Sequence, residues 1–301
     1  MKTRADAKVA HGDPRKSRRP QNQVKCKQVN ACLKVAAGAA TRTPEEMKHV
    51  ESLPEQCMEK VSDLTGPIPP ELPPLREVNH RLNFIDDEVG PTMKYPLPHC
   101  ADALLDQLRD KIDQYENAGW WKPVPAQVAP PMLCIYKPGT DKLRTVIDVR
   151  KRNAHTKKDV TPFPDQDRIR YDVACAKYRT KIDMTDAYEQ IRVDPKDVHC
   201  TTFATIFGTY ISLVMQQGDC NAPSMFQRLM THIFRLWIGK FIHVYLDDIF
   251  IYSDSIEDHE EHLTLVFRTL QKNKLFISRK KLDLYSDRMI CLGHLIDKDG
   301  I

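Results

Sequence analysis

Two adjacent carboxylates interrupt a long apolar run toward the end of this chain. Asp247 and Asp248 lie between two stretches of β-forming residues, Phe241–Leu246 and Ile249–Tyr252, which we predict to be strands. A two-residue hairpin turn usually takes Asn-Gly or Asp-Gly, so an Asp-Asp pair is not an obvious choice for local folding. Like charges this close raise each other's pKa unless a cation lies among them, and divalent metal ions are such cations. An exposed turn that tolerates acids is the alternative.

A third acid occupies a similar position in an earlier strand. Thr180–Met184 is predicted to be a strand, and Asp183 lies near its end, just before a helix-start signal at Thr185 and Asp186. Two strands lying side by side would bring Asp183 to Asp247. Carboxylate oxygens suit Mg²⁺, and two such ions activate an attacking hydroxyl and stabilise a leaving oxygen. We therefore expect a site for two Mg²⁺ ions, with Mn²⁺ as the alternative metal.

The rest of the ordered region shows strands and helices without a regular alternation. Pro138-Gly139 favours a type II turn, which would join two strands into a hairpin with basic residues near its tip. Strands with packed helices and no repeating βαβ order indicate an α+β fold. The other predicted elements are helices at Ala101–Ala118, Ser224–Trp237 and about Glu257–Lys274, and strands at Met132–Lys137, Lys142–Val149, Thr201–Phe207 and Thr209–Met215.

The first 75 residues differ in composition from the rest. Residues 1–34 carry ten Lys or Arg against Asp6 and Asp13, so this tail has a charge of about +8 and the remainder is near −4. We expect it to be solvated and disordered, with nucleic-acid contact or nuclear import as the alternative. Five prolines at 67–74 predict an extended linker. The ordered region is therefore expected to begin near Leu75, with residues 1–75 as tail and linker.

Other metal-binding patterns are weak. The nine cysteines include no CxxC pair, and Cys26 and Cys32 lack the spacing of a zinc knuckle. His259 and His262 do not have the i, i+4 spacing of the HExxH zinc motif, and acidic residues surround them. We predict reduced thiols and a solvated helix face at these positions.

The sequence carries no signal for export or membrane insertion. It contains no apolar run of roughly 18 residues and no apolar stretch of a secretory signal after the charged N-terminus. Scattered, unpaired cysteines are typical of a reducing compartment. We expect an intracellular protein of the cytoplasm or nucleus, neither secreted nor bound to a membrane.

Four motifs, in order and at matching spacing, resemble those of reverse transcriptases. They are the segment Thr180–Tyr188 around the first acid, Gln216–Gln227 (QQGDCNAPSMFQ), Tyr245–Asp248 (YLDD) and Leu292–His294 (LGH). From about Arg76 to Ile301 the chain is similar to the enzymes of gypsy-type LTR retrotransposons, fungal ones in particular. The resemblance implies a right-hand polymerase fold whose palm is an antiparallel sheet with packed helices. Its parts would be fingers at about 76–165 and 196–217, and palm at about 166–195 and 218–301.

The resemblance also implies a role for each matching residue. Asp183, Asp247 and Asp248 match the family's catalytic, metal-binding carboxylates. The backbone of Asp186 and Ala187 matches the segment that holds the incoming triphosphate. Without the resemblance, the other matching residues would be read as surface charges or core side chains. They are Lys137 and Arg144 for the β- and γ-phosphates, Tyr188 for exclusion of a 2′-hydroxyl, Gln217 beside the nucleotide, Lys280 or Lys281 as the acid for pyrophosphate, and Leu292 and Gly293 for the primer grip.

The function implied by the resemblance is that of an RNA-directed DNA polymerase, which extends a primer 3′-hydroxyl with dNTPs on an RNA or DNA template. Relatives continue into a thumb, a ribonuclease H domain and often an integrase, so we expect a truncated piece of a retrotransposon polyprotein. The alternative is an inactive or domesticated remnant that binds nucleic acid without turnover. The number of subunits is left open.

Overall fold

The computed structural model describes residues 42–85 and 94–297, and the basic tail at 1–34 lies outside these ranges. No helix within them combines the length and apolarity needed to cross a bilayer. The α-helices are α1 Pro44–Val50, α2 Leu53–Lys60, α3 Leu105–Asn117, α4 Arg150–Ala154, α5 Gln166–Cys175, α6 Ala222–Phe234 and α7 Ile256–Lys272. The strands are β1 Trp121–Pro123, β2 Met132–Tyr136, β3 Leu143–Ile147, β4 Tyr178–Asp183, β5 Phe203–Thr205, β6 Gly208–Ser212, β7 Ile242–Tyr245, β8 Asp248–Ser253, β9 Met289–Cys291 and β10 His294–Ile296.

The expected antiparallel palm sheet lies at the centre of the fold, in the strand order β4–β8–β7. Side chains of a strand alternate between the two faces of its sheet. On one face Ile182 and Ile249 pack against α6 and α7, and on the other Phe250 packs against α5 and the β9–β10 hairpin. Because both faces are covered, polar side chains of the sheet reach solvent at the strand ends, and Asp183 and Asp248 lie at one such end.

A second hydrophobic core forms the part expected to be the fingers. Leu108 of α3 packs with Trp121 of β1, which belongs to the sheet β1–β6–β5. The β2–β3 hairpin completes this part of the fold. At its tip the amide of Thr140 donates to the carbonyl oxygen of Lys137 at 3.0 Å, and Gly139 has φ +73°. These are the features of the predicted type II turn.

A buried ion pair lies between the two cores. Arg152 of α4 binds one carboxylate oxygen of Asp219, and Nε2 of His80 lies 3.0 Å from the other. Gly218 has φ +110°, and a Cβ at this position would lie 2.9 Å from the carbonyl oxygen of Ile147. Only glycine fits there. The QQG segment is therefore fixed against both β3 and α4.

Residues 42–64 are folded against the palm, which corrects the expectation that the ordered region begins near Leu75. Helices α1 and α2 contribute Leu53 and their neighbours to the same core as α6 and α7. The carbonyl oxygen of Leu64 accepts a hydrogen bond from the amide of Ile277 at 2.9 Å. The sequence pattern did not show this, because the helices are short and their packing partners come from the other end of the chain.

The Pro-rich stretch at 67–74 contains neither helix nor strand, as expected for an extended segment. It is nevertheless part of the folded body. Ile68 and Leu72 pack against the fingers core. The indole N–H of Trp120 donates to the carbonyl oxygen of Glu71 at 2.8 Å. The stretch therefore connects the core that contains α1 and α2 to the fingers core.

The two histidines of α7 are not on the solvated helix face that was predicted for them. His259 is buried, and its two ring nitrogens lie 2.8 Å from the hydroxyl oxygens of Thr180 and Ser253. His262 also contacts Ser253 and stacks on Phe241. Burial lowers the pKa of His259 to about 3, so its ring is neutral. The prediction was wrong because α7 packs this face onto the palm sheet.

The packing of residues 42–64 predicts that they contribute to stability. Leu64 is 2% exposed, so Leu64→Ala is expected to lower the free energy of unfolding of the full chain. The loss should be about 2–4 kcal/mol, because the truncation leaves a cavity. Chemical denaturation measures it.

The matched control is Met47→Ala, since Met47 lies in α1 and is 43% exposed. It should change the free energy of unfolding by no more than about 0.5 kcal/mol. Equal, small effects of the two substitutions would show that this segment is not part of the core.

Candidate active site

The β7–β8 hairpin carries two of the three aspartates, and its turn differs from the expected one. Tyr245 and Asp248 are opposite each other in the ladder, so Leu246 and Asp247 form the two-residue turn, and Asp248 begins β8. The predicted turn at Asp247-Asp248 was therefore wrong by one position. Leu246 has φ +54°, a conformation that normally takes glycine in such turns. A strained residue of this kind persists only where its surroundings hold it in place, and such residues cluster at functional sites.

Gln227 of α6 holds this turn. Its side chain is buried, and its Oε1 accepts a hydrogen bond from the amide of Leu246 at 2.8 Å. Its Nε2 donates to the carbonyl oxygen of Val244 at 3.1 Å. Sequence reasoning placed Gln227 in a family motif but gave it no role. An amide side chain on the buried face of an apolar helix was the signal that could have indicated one.

The three aspartates come together at one end of the palm sheet. Asp183, the last residue of β4, is directly opposite Asp248 in the β4–β8 ladder. The amide of Met184 donates to the carbonyl oxygen of Asp247 at 3.1 Å, which ties the turn to the end of β4. Asp183 is 7% exposed. The adjacency expected from the strand pattern is present, with Asp248 rather than Asp247 as the residue opposite Asp183.

Two lysines contact these carboxylates. Nζ of Lys281 lies 2.9 and 3.0 Å from the two carboxylate oxygens of Asp183. Nζ of Lys181, on β4, lies 3.0 Å from Oδ1 of Asp248. Burial raises the pKa of Asp248, Lys181 opposes that shift, and the charges of the other two aspartates add to it. The hydrogen bond to Asp183 raises the pKa of Lys281.

The contacts distinguish the two lysines that the sequence left equivalent. Lys281, rather than Lys280, reaches Asp183, from a single 3-10 turn at Arg279–Lys281. Lys181 was not predicted to belong to the site. It lies two residues before Asp183, and alternation along a strand places both on the same face, so this spacing was the available signal.

The donor chemistry of this cluster suits a divalent cation. Asp183 and Asp248 offer hard oxygen ligands on neighbouring strands, and each already binds a lysine ammonium group in the structure. Within the described residues, no three His, Cys, Asp or Glu side chains are arranged to hold a metal ion. In the structure the two lysine ammonium groups thus contact carboxylate oxygens that a metal ion would share.

The segment after Asp183 is a series of turns, and the helix start predicted at Thr185 and Asp186 is absent from this stretch. Asp186 has φ +40°. The side-chain amide of Gln190 donates to the carbonyl oxygens of Thr185 and Phe276, which closes the turns. The prediction failed because this side chain, rather than a helical backbone amide, binds the carbonyl group of Thr185.

Tyr188 follows Ala187 within these turns. Its ring is half-buried and packs edge-on against Phe226 of α6, with ring centroids 6.1 Å apart. Burial and then the charge of Asp247 raise the pKa of its phenol. The structure thus places Tyr188 between the palm core and the aspartate cluster.

The other predicted nucleotide-binding residues belong to the fingers side. Lys137 and Arg144 are exposed on the β2–β3 hairpin, where Arg144 is opposite Ile135. Gln217 follows Gln216 in the segment fixed against β3. These side chains lie on different elements from the aspartates, and within the described residues no hydrogen bond or ion pair joins the two sets.

The predicted primer-grip residues form the turn of the β9–β10 hairpin. Leu292 has φ +48° and Gly293 φ +80°, and the flanking Cys291 and His294 are opposite each other. Positive φ at both central residues defines a type I′ turn, which leucine rarely occupies. Nζ of Lys181 lies 3.5 Å from the carbonyl oxygen of Ile290. Lys181 therefore connects this hairpin to Asp248.

Comparisons with known proteins identify the class. The solved structure of the foamy viral protease-reverse transcriptase dRH in complex with double-stranded DNA superposes with a TM-score of 0.73 at 19% identity, covering 91% of this chain and 46% of that one. The same viral protein in complex with an RNA/DNA hybrid gives 0.72, also at 19% identity, over 91% of this chain and 35% of that one. The fold is therefore that of a right-hand polymerase, and the expected α+β class is confirmed.

Sequence relatives define the family. Residues 135–296 match the family described as reverse transcriptase (RNA-dependent DNA polymerase). The Pol polyprotein of transposon 297 from Drosophila melanogaster is 32% identical over 74% of this chain and 21% of its own length. The Pol polyprotein of the gypsy transposon from the same species is 30% identical over 74% of this chain and 22% of its own length. The Tf2-3 polyprotein of Schizosaccharomyces pombe is 30% identical over 75% of this chain and 16% of its own length. The chain belongs to the reverse transcriptase family, and it spans about one fifth of the length of these relatives.

The hydrogen bonds of Gln227 predict a cost for removing them. Gln227→Leu keeps the volume but leaves the part-buried amide of Leu246 and the buried carbonyl of Val244 without their hydrogen bonds to Gln227. The free energy of unfolding should fall by about 1–3 kcal/mol. Chemical denaturation of the full chain measures the change.

The same substitution at an exposed glutamine, Gln114→Leu on α3, is the control and should change stability by no more than about 0.5 kcal/mol. If Gln227→Leu is as stable as the wild type, Gln227 does not hold the turn.

Proposed function

We propose that this chain is the RNA-directed DNA polymerase part of a retrotransposon polyprotein, which extends a primer 3′-hydroxyl with dNTPs. The observation that carries the proposal is the pairing of Asp183 with Asp248 across the palm sheet, with Asp247 in the adjoining turn. Carboxylates that lie directly opposite each other on neighbouring strands destabilise a sheet unless cations offset their repulsion. Membership of the reverse transcriptase family supplies the reaction class.

The three aspartates would hold two Mg²⁺ ions, with Mn²⁺ as a substitute. When bound, such ions activate the attacking hydroxyl and stabilise the leaving pyrophosphate oxygen. Lys281 is a better candidate than Lys280 for the proton donor to pyrophosphate. It reaches the cluster, it is largely exposed, and its raised pKa keeps it protonated near neutral pH. Lys181 would hold Asp248 and the primer-grip hairpin in register through its contacts with both.

The incoming nucleotide would lie between the aspartates and the β2–β3 hairpin. Lys137 and Arg144 on that hairpin would bind the β- and γ-phosphates, Arg144 through its planar fork and Lys137 as a point charge. The turns at Asp186 and Ala187 would lie beside the triphosphate. Tyr188 would pack under the sugar. Gln217 would contact the nucleotide from the QQG segment.

A primed template would occupy the same cleft. Two of the solved structures similar to this chain are complexes, one with double-stranded DNA and one with an RNA/DNA hybrid, which supports a duplex as partner. Leu292 and Gly293 would contact the primer. We assign the fingers to residues 76–165 and 196–217 and the palm to 166–195 and 218–301. The cytoplasm or nucleus is the proposed location, because no disulfide joins any cysteines of the described ranges.

Removal of one carboxylate charge tests this function. Asp183→Asn and Asp248→Asn should each lower primer extension on poly(rA)/oligo(dT) by at least about 100-fold, because the cluster loses a metal-binding charge. Extension is measured with Mg²⁺ and separately with Mn²⁺.

Asp254→Asn, just after β8 and exposed, is the matched control and should extend normally. Extension by Asp183→Asn at the wild-type rate would contradict the proposal. A wild-type chain that binds primed template but extends it with neither metal would point instead to a remnant without turnover.

The position of Tyr188 predicts its effect on sugar selection. Tyr188→Val should lower the preference for dNTPs over rNTPs by roughly 10- to 100-fold, because the ring no longer clashes with a 2′-hydroxyl. Tyr188→Phe keeps the ring and should keep the preference. The ratio of kcat/KM for the two nucleotides measures it, and an unchanged ratio in Tyr188→Val would make Tyr188 a core residue.

A further inference from the structure

Glu189, the residue after Tyr188, places a carboxylate inside the protein. Its Oε2 is buried and, among the described residues, has no hydrogen-bond partner. The side chain lines a cavity of about 20 Å³, which is room for about one water molecule. Burying a carboxylate with an unsatisfied oxygen is costly, so its place here calls for a functional explanation.

A second charge faces this cavity from the fingers. Lys111 of α3 lines it together with Tyr115, and Lys111 interacts electrostatically with Glu189. Burial lowers the pKa of Lys111, whereas Glu189 and Asp186 oppose that shift. Burial raises the pKa of Glu189 to about 7, and Lys111 opposes this shift. A carboxyl group from the palm and an ammonium group from the fingers therefore line one cavity, which Gln217 also lines.

The charged and titratable groups around Glu189 are few. Lys111 and Tyr115 face it from α3, Asp186 faces it from its own turn, and Cys134 of β2 faces Lys111. The remaining walls of the cavity are uncharged side chains of β1, β2, β3, β6 and the segment after β6.

The cavity adjoins two of the residues assigned to the nucleotide. Gln217 forms part of its wall, and Tyr188 precedes Glu189 in the chain. Phe226 supports the ring of Tyr188 from the palm side. Electrostatic attraction of Glu189 toward Lys111 on α3 therefore also acts on Tyr188, the adjacent residue in the chain.

We propose that Glu189 and Lys111 form a charge pair between palm and fingers that positions Tyr188 and Gln217 for the incoming nucleotide. Ionised Glu189 is attracted to Lys111 and holds the turn at Tyr188 against the fingers. Neutral Glu189 loses this attraction, so nucleotide affinity and sugar selection weaken. Both residues are positioning residues, and the proposal rests on the polymerase function proposed above.

Nucleotide binding without turnover separates the two proposals. The full chain is bound to a primed template with a dideoxy-terminated primer, and the Kd for the matched dNTP and rNTP is measured by fluorescence anisotropy between about pH 6 and pH 8, on either side of the pKa of about 7. The wild-type Kd for dNTP should fall roughly three- to tenfold as pH rises through this range. The preference for dNTP over rNTP should rise with it.

Substitutions of Glu189 and Lys111 test the role of each charge. Glu189→Gln should bind dNTP with the low-pH affinity of the wild type at every pH. Lys111→Met should also bind weakly at all pH values, and Lys111→Arg, which keeps the charge, should restore the wild-type profile. A Glu189→Gln profile that follows the wild type would overturn the inference, because a merely structural side chain would leave the pH dependence unchanged.

Stability supplies a second readout that does not depend on nucleotide. A carboxyl group whose folded pKa lies above its unfolded value stabilises the fold at low pH, and this contribution is lost as pH rises through about 7. The Tm of Glu189→Gln relative to wild type should therefore increase between about pH 5 and pH 8. A difference in Tm that is constant over this range would show that the folded pKa of Glu189 is not raised, and would overturn the change of its charge near neutral pH on which the inference depends. If the chain does not extend a primer, but its nucleotide binding and its Tm both depend on pH as predicted, the result would count against the polymerase proposal and not against this one.

Discussion

The antiparallel register of β4 and β8 is the constraint on which the site depends. It places Asp183 directly opposite Asp248, although like charges in this position weaken a sheet. The arrangement is held by contacts from outside the pair. Lys181 and Lys281 each bind one carboxylate, and the amide of Met184 binds the carbonyl of Asp247. A shift of β4 by one residue in this register would turn Asp183 to the opposite face of the sheet and separate it from Asp248.

The parts that hold this register come from distant regions of the chain. Gln227 on α6 fixes the β7–β8 turn by a hydrogen bond to the amide of Leu246. Lys281, in the segment after α7, contacts the carboxylate of Asp183. Helices α1 and α2 complete the core under the same sheet. Arg152 and Asp219 connect this body to the fingers through a buried ion pair, whose disruption would leave an uncompensated charge. The strained turn at Leu246 is therefore supported by packing that extends through the whole palm.

The sequence was sufficient for the features that depend on local pattern. Apolar runs located the strands, and acids interrupting them located Asp183, Asp247 and Asp248. Features that depend on contacts between distant segments were missed, such as the role of Gln227 and the folding of residues 42–64 against the palm. The helix start expected at Thr185 failed for a similar reason, because the side chain of Gln190, rather than a helical backbone amide, binds the carbonyl of Thr185. The roles assigned to Lys137, Arg144 and Gln217 stay predictions.

Metal binding by the aspartate cluster is tested most directly by titrating the full chain with Mn²⁺ and counting bound ions by electron paramagnetic resonance. The titration is made on the complex with dideoxy-terminated primed template and matched dNTP. Binding of Mn²⁺ that is lost in Asp183→Asn and kept in Asp254→Asn is the predicted result, since Asp183 lies opposite Asp248 and Asp254 lies outside the cluster. Equal Mn²⁺ binding by wild type and Asp183→Asn would contradict the assignment of these carboxylates as the metal site.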